Sequence, residues 1–180
     1  MLEENEEFKI KKIEDQFIDR FAENINTYGI SPTVGRVLGL IYMNRKPMTL
    51  NELSEASGMS KTRMSQVVRK MVNLNIAEKV FEKGFRKDLY NVEQDYYQTF
   101  IAVFSTNWGK LAHKNKMTGK KLQKELSEIL SSEDELTEEA EVKINELLEE
   151  TRLLLNYINW LDRLVDFFES EEIFKHVPKT

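Results

Sequence analysis

The 180 residues predict a mostly α-helical fold: a winged helix-turn-helix with a small β-hairpin wing, flanked by long N- and C-terminal dimerisation helices. Three observations point there. Gly and Pro number only 7 and 3, which favours long helices over a turn-rich sheet. Two short helical patterns, each opened by a hydroxyl residue suited to capping, meet at Gly58. Two short strand patterns then flank Gly84.

The elements follow in order. Ile10, Ile13, Phe17, Phe21, Ile25 and Tyr28 recur every three or four positions, an amphipathic helix ending near Gly29. Ser31 and Pro32 are an N-cap and first-turn pair for the next helix, whose apolar face is Val34, Val37, Leu38 and Ile41 with Tyr42 alongside. Gly35 and Gly39 share one side of that helix, where a neighbour can approach closely. Thr49 with Glu52 forms a capping box, with Met48 and Leu53 as a hydrophobic staple. Ser60 caps the following helix, with Met59 and Met64 as a second staple. Residues Glu78 to Lys83 and Lys87 to Val92 are expected as the two strands of the hairpin.

Beyond the hairpin, Tyr97, Ile101, Phe104, Trp108 and Leu111 form one helical stripe. The Lys-rich region from Gly109 to Lys124 contains Gly119 and is expected to kink or loop. Further on, Ala140, Ile144, Leu147, Thr151, Leu154, Ile158, Leu161, Val165 and Phe168 alternate spacings of four and three, the a/d pattern of a helix packing lengthwise on another. Self-association through this stripe is the expectation, and folding back within the chain is the alternative. The domain organisation read from these patterns is 1–30 as an N-terminal helical arm, 31–93 as the winged helix-turn-helix, and 94–180 as a helical dimerisation and effector region.

Charge is unevenly spread. The formal net charge is -5, yet from Arg45 to Tyr90 ten basic residues face five acids, while from Glu133 to Glu172 fourteen acids face three basic residues. The basic middle suits a polyanion, and the acidic C-terminal part belongs away from it. With Met64, Val68 and Met71 as the buried face of the second short helix, Thr62, Gln66, Arg69 and Asn73 project to the opposite side. Ser60, Lys61, Arg63, Ser65 and Lys70 flank them. Short hydroxyls and an amide suit base edges in a major groove, and Arg suits guanine or phosphate. Lys83, Phe85, Arg86 and Lys87 surround the hairpin tip, where basic residues suit a minor groove or a phosphate. Asp88 is placed to orient Arg86 or Lys87. A solvated polar face, or a winged helix used for protein contacts alone, is the alternative.

The stretches GRVLGLIYM (35–43), TLNELSEASGMSKTRMSQVVRKM (49–71) and KGFRKDLYNV (83–92) resemble the GbsR family of MarR-type winged-helix regulators. The resemblance implies a homodimeric repressor on a palindromic double-stranded operator, controlling genes for choline uptake and glycine betaine synthesis, with choline as the inducer. It also implies an effector pocket between the DNA-binding lobe and the dimer helices. A quaternary ammonium has no N–H to donate and is held best by aromatic faces. Candidates are Tyr28, Tyr42, Tyr96, Tyr97, Phe100, Phe104 and Trp108, with ordinary core packing as the competing reading. Another alternative is a related repressor of osmoprotectant uptake that does not sense choline.

The remaining signals are negative. There is no cysteine, which removes disulfides and thiolate chemistry. His113 and His176 have no neighbouring carboxylate motif, and no Gly-rich phosphate loop is present, so neither catalysis, a metal nor a cofactor is expected. The acidic start MLEENEEFK lacks the apolar core of a secretory signal and no run is long enough for a membrane span, so a cytoplasmic protein is expected. Lys110 to Lys124 is expected to pair with the acidic C-terminal helix across the dimer, with flanking DNA as the other option.

Overall fold

A computed structural model describes residues 2–84, 86–132 and 136–180. Phe85, expected at the wing tip, lies outside the described residues, as do residues 1 and 133–135. The chain forms two compact units, Met1–Val103 and Phe104–Thr180. No helix among the described residues is long and apolar enough to cross a membrane.

The first unit begins with α1 (Leu2–Asn26) and α2 (Pro32–Asn44). Ile18, Phe21, Ala22 and Ile25 of α1 are buried, whereas Ile10, Ile13 and Phe17, earlier on the same stripe, stay exposed. The turn between the helices uses Gly29 at φ +79, and Ser31 holds the extended N-cap conformation without a side-chain cap bond. Gly35 brings α2 onto α1 so closely that a Cβ there would sit 2.9 Å from Ala22 Cα. Gly39 faces Ile18 in the same way, at 3.2 Å from its Cγ2. Arg36 and Asp19 form an ion pair at the exposed edge of this contact.

Next come β1 (Met48–Thr49), α3 (Leu50–Ser57) and α4 (Lys61–Asn73). The capping box is complete: the Glu52 N–H donates to Thr49 Oγ1 at 3.2 Å and the Thr49 N–H to Glu52 Oε2 at 2.7 Å. Gly58 ends α3 in the left-handed region, and Ser60 Oγ accepts from the Arg63 N–H, opening α4. Leu53, Met64, Val68 and Met71 close against Val34, Val37, Leu38 and Ile41 of α2 in one apolar core.

The sheet corrects two expectations. It has three strands in the order β1-β3-β2, with β2 (Glu78–Val80) and β3 (Leu89–Asn91) much shorter than the hairpin read from the sequence. Pairing stops at Val80↔Leu89, because Leu89 is the last residue with core to cover and residues 81–84 and 86–88 are all exposed. The unanticipated β1 pairs with β3 through Met48↔Tyr90 and Thr49↔Leu89. Two residues are too few for a periodicity signal.

The second unit contains most of α5 (Tyr96–Ser132), then α6 (Glu138–Glu169) and the short α7 (Ile173–His176). Helix α5 runs unbroken through the Lys-rich stretch, where a kink or loop was expected. Gly119 is a packing position: a Cβ there would lie 2.8 Å from Leu155 Cδ2. The buried members of the a/d stripe, Ile144, Thr151, Ile158, Leu161 and Val165, turn inward on α6, with Ala112 of α5 joining Ile158 and Leu161 in one cluster. The stripe expected to drive self-association therefore closes a hairpin within one chain, while Leu147 and Leu154 remain exposed. Lys116 pairs with Asp162 at 2.7 Å inside this hairpin, and Lys121 and Lys124 pair with Glu125 and Glu128 one turn on. These three lysines meet carboxylates of their own chain.

Candidate nucleic-acid interface

Helix α4 is divided into two faces. Met64, Val67, Val68 and Met71 are buried, and Lys61, Thr62, Arg63, Gln66, Arg69 and Lys70 are exposed with Ser60, while Ser65 is half-buried at the boundary. The apolar contacts fix the rotation of the helix, so the polar set faces outward together. Ser60 Oγ accepts the cap bond and keeps its O–H to donate, and Thr62 and Gln66 add exposed short donors and acceptors on the first turns. None of Lys61, Arg63, Arg69, Lys70, Lys83, Arg86 and Lys87 has an ion-pair partner within 4.0 Å among the described residues.

At the wing, Lys83, Arg86 and Lys87 are exposed as expected. Asp88 departs from expectation: its Oδ1 takes Lys79 Nζ at 2.8 Å, across the hairpin, rather than orienting Arg86 or Lys87. This contact holds the Lys79 ammonium pKa above its usual value. Arg86, Lys87 and Asp88 share a concavity of about 410 Å³ with Thr49, Leu50 and Asn51 at the start of α3. Glu52, in the capping box, has its carboxyl pKa lowered chiefly by the Thr49 backbone N–H and hydroxyl, with a smaller contribution from the Lys87 charge. With the Asp88 carboxylate paired to Lys79, the concavity presents two cations and an amide beside the first turn of a helix, a geometry suited to a phosphate.

The aromatic candidates are distributed between both units. In the first, Tyr42 is buried with its ring stacked on Phe21 at 5.4 Å and 4.7 Å from Tyr96. The Arg45 guanidinium lies 4.7 Å from the Tyr42 ring centre and donates to Gln94 Oε1, and the Tyr42 hydroxyl donates to the Gln94 carbonyl. A cation already covers this ring. Burial and the Tyr42 hydroxyl push the Tyr96 phenol up to about 12, so it is neutral under physiological conditions. Tyr28 and Phe100 form an edge-on pair at 5.5 Å, and Tyr97 is exposed. In the second unit, Phe104 lies 6.1 Å from Trp108 and 4.6 Å from Phe168.

The comparisons with known proteins agree with this architecture. Residues 28–84 match the MarR family, and residues 96–175 match the C-terminal helical hairpin of the GbsR family transcriptional regulators. YvaV of Bacillus subtilis strain 168, named as an HTH-type transcriptional regulator, is 67% identical over 94% of this chain and 95% of its own. The HTH-type transcriptional repressor OpcR of the same strain is 64% identical over 95% of this chain and 92% of its own. The HTH-type transcriptional repressor GbsR, also from that strain, is 35% identical over 98% of both chains. The chain belongs to the GbsR family of MarR-type transcriptional regulators. It is a DNA-binding regulator of the repressor type, and these relatives are regulators rather than enzymes. Its identity to YvaV and OpcR is nearly twice its identity to GbsR.

Three features of this regulator escape sequence reading. Asn51 looks like an ordinary helix residue until the wing is folded against it. Arg45 carries no signal that it covers Tyr42, and Phe81 passes as a strand residue although it is almost fully exposed.

Proposed function

We propose that the chain represses genes of osmoprotectant supply by seating α4 of each of two subunits in successive major grooves of a palindromic operator. In this reading Ser60, Lys61, Thr62, Arg63, Ser65 and Gln66 approach bases and phosphates from the N-terminal half of α4. Arg69 and Lys70 extend the contact, and Lys83, Arg86 and Lys87 bring the wing to the neighbouring backbone and minor groove. The division of α4 carries it: Met64, Val68 and Met71 are locked in the core, and cations with no ion-pair partner among the described residues line the opposite face.

A homodimer supplies the two reading heads. Exposed apolar residues support one: Ile10, Ile13 and Phe17 on α1, and Leu153, Tyr157 and Trp160 on α6, the last two rings stacked at 6.2 Å. Such faces are costly to leave in water and mark association surfaces. The regulator acts in the cytoplasm, where its DNA is.

The test is a mobility shift with a duplex enriched from a random pool by the wild-type protein. Arg69→Ala and Arg86→Ala are expected to weaken binding, and each lost phosphate contact lowers the log-log salt slope by about 0.9. Wild-type protein that retains no duplex at low salt refutes the reading and leaves a winged-helix module for protein partners.

Choline as inducer is what the family resemblance implies. A second reading, a repressor of osmoprotectant uptake that does not sense choline, is favoured by the Arg45 guanidinium over Tyr42, where a cage would need an open ring face. We adopt the second reading for the Tyr42 cluster. Trp108 and Trp160 fluorescence titrated with choline separates the two: a saturable change that Trp108→Phe abolishes restores choline, and a flat titration supports the second.

A further inference from the structure

Phe81 is 88% exposed, more than any other large apolar side chain described. It follows Val80, the last paired residue of β2, an edge strand of the sheet. Val80 stands opposite Leu89, which is buried, whereas Lys79 and Phe81 on either side of Val80 are exposed. Lys79 Nζ sits 5.4 Å from the Phe81 ring centre while held by Asp88, and this screens one side of the ring. Residues 82–84 and 86–88 around it are exposed too, with Lys83, Arg86 and Lys87 among them.

A single exposed apolar residue is ordinary on a protein surface. The position of this one is not, because it projects from the element whose free cations approach a duplex. Cations neutralise phosphates and can reach into a minor groove, and proteins that bind there frequently add an apolar side chain as a wedge beside them. We propose that Phe81 is an apolar DNA contact of the wing, its ring seated in the minor groove beside the half-site read by α4. The proposal rests on the DNA reading above. Lys79, neutralised by Asp88, then serves to hold the ring rather than to bind phosphate.

The full-length protein and the enriched duplex test it, with Phe81→Ala, Phe81→Leu and Arg86→Ala compared over a range of salt. Phe81→Ala is expected to bind about tenfold more weakly with the wild-type salt slope, since an apolar contact releases no counterions, and Phe81→Leu to recover most of that loss. Arg86→Ala should instead flatten the slope by about 0.9. Phe81→Ala binding as tightly as wild type while Arg86→Ala weakens overturns the wedge and leaves the DNA reading intact. A slope change in Phe81→Ala equal to that of Arg86→Ala also overturns it, by showing that the ring acts through neighbouring charge. No binding by wild type sinks the DNA reading first. Thermal melting checks that Phe81→Ala is folded, and a large loss of stability counts against the proposal, because so exposed a ring should contribute little.

Discussion

Replacing Gly35 with alanine puts two opposing effects in one methyl group. In an isolated helix the change stabilises by about 1 kcal/mol, because alanine loses less backbone entropy. Here the new Cβ meets Ala22 Cα at 2.9 Å and the Ala22 carbonyl oxygen at 3.1 Å. Normal carbon contacts need about 3.5–4.0 Å, so α1 has to retreat by roughly 0.6 Å or more. The obstacle is backbone, which cannot turn aside as a side chain can, so the cost falls near the upper end of the ~1–3 kcal/mol typical of overpacking. The net expectation is a loss of about 2 kcal/mol, or a urea midpoint lower by about 1 M for a slope near 2 kcal/mol/M. Far-ultraviolet circular dichroism is the required readout, at fixed protomer concentration, because Trp108 and Trp160 both lie in the other unit. Gly39→Ala is the control: its Cβ meets Ile18 Cγ2 at 3.2 Å and Phe21 Cδ1 at 3.4 Å, side-chain atoms that can give way, so a change within about 0.5 kcal/mol is expected. Gly35→Ala as stable as wild type would refute the argument that α1 and α2 are packed backbone to backbone.

Four further outcomes are expected. Thr49→Ala removes the α3 cap and should cost about 1 kcal/mol in denaturant titration. The Glu52 carboxyl is held below its ordinary 4.5, so its contribution is present above that pH and lost as pH falls through the lowered folded value; Glu52→Gln should lessen the acid sensitivity of stability there. Tyr96 titrates near 12 against an ordinary 10, so the folded state keeps a proton that the unfolded state has released, and stability falls as pH rises between those values. In an absorbance titration Tyr96→Phe should remove an ionisation near 12. Met71→Ala, at a fully buried position behind the polar face of α4, should cost about 2–5 kcal/mol by equilibrium unfolding and weaken operator binding in proportion to the unfolded fraction.

Much of this regulator is legible in its sequence because the determining interactions are local. Thr49 and Glu52, Ser60 and Arg63, and Gly58 lie within one turn of the helix ends they set, so their types and spacing suffice. The faces of α2 and α4 follow from 3.6-residue periodicity, and with them the outward set of Thr62, Gln66 and Arg69. The family resemblance reached the right family by the same local patterns.

What escaped depends on residues far apart in the chain. An a/d stripe says that α6 packs on a helix but not on which one, and contacts such as Gly119 against Leu155 and Lys116 against Asp162 show that the helix is α5 of the same chain. Asp88 had acceptable cations beside it in sequence, yet strand pairing brought Lys79 closer. Likewise the aromatic residues could be counted in advance, but whether their faces were open depended on where Arg45 and Phe21 came to rest. The sequence by itself determined where each helix starts and stops and which side of it avoids water, because those preferences act over one or two turns. The tertiary structure alone decided which partner each face and charge would meet, because that choice is made by competition among residues that only folding brings within reach.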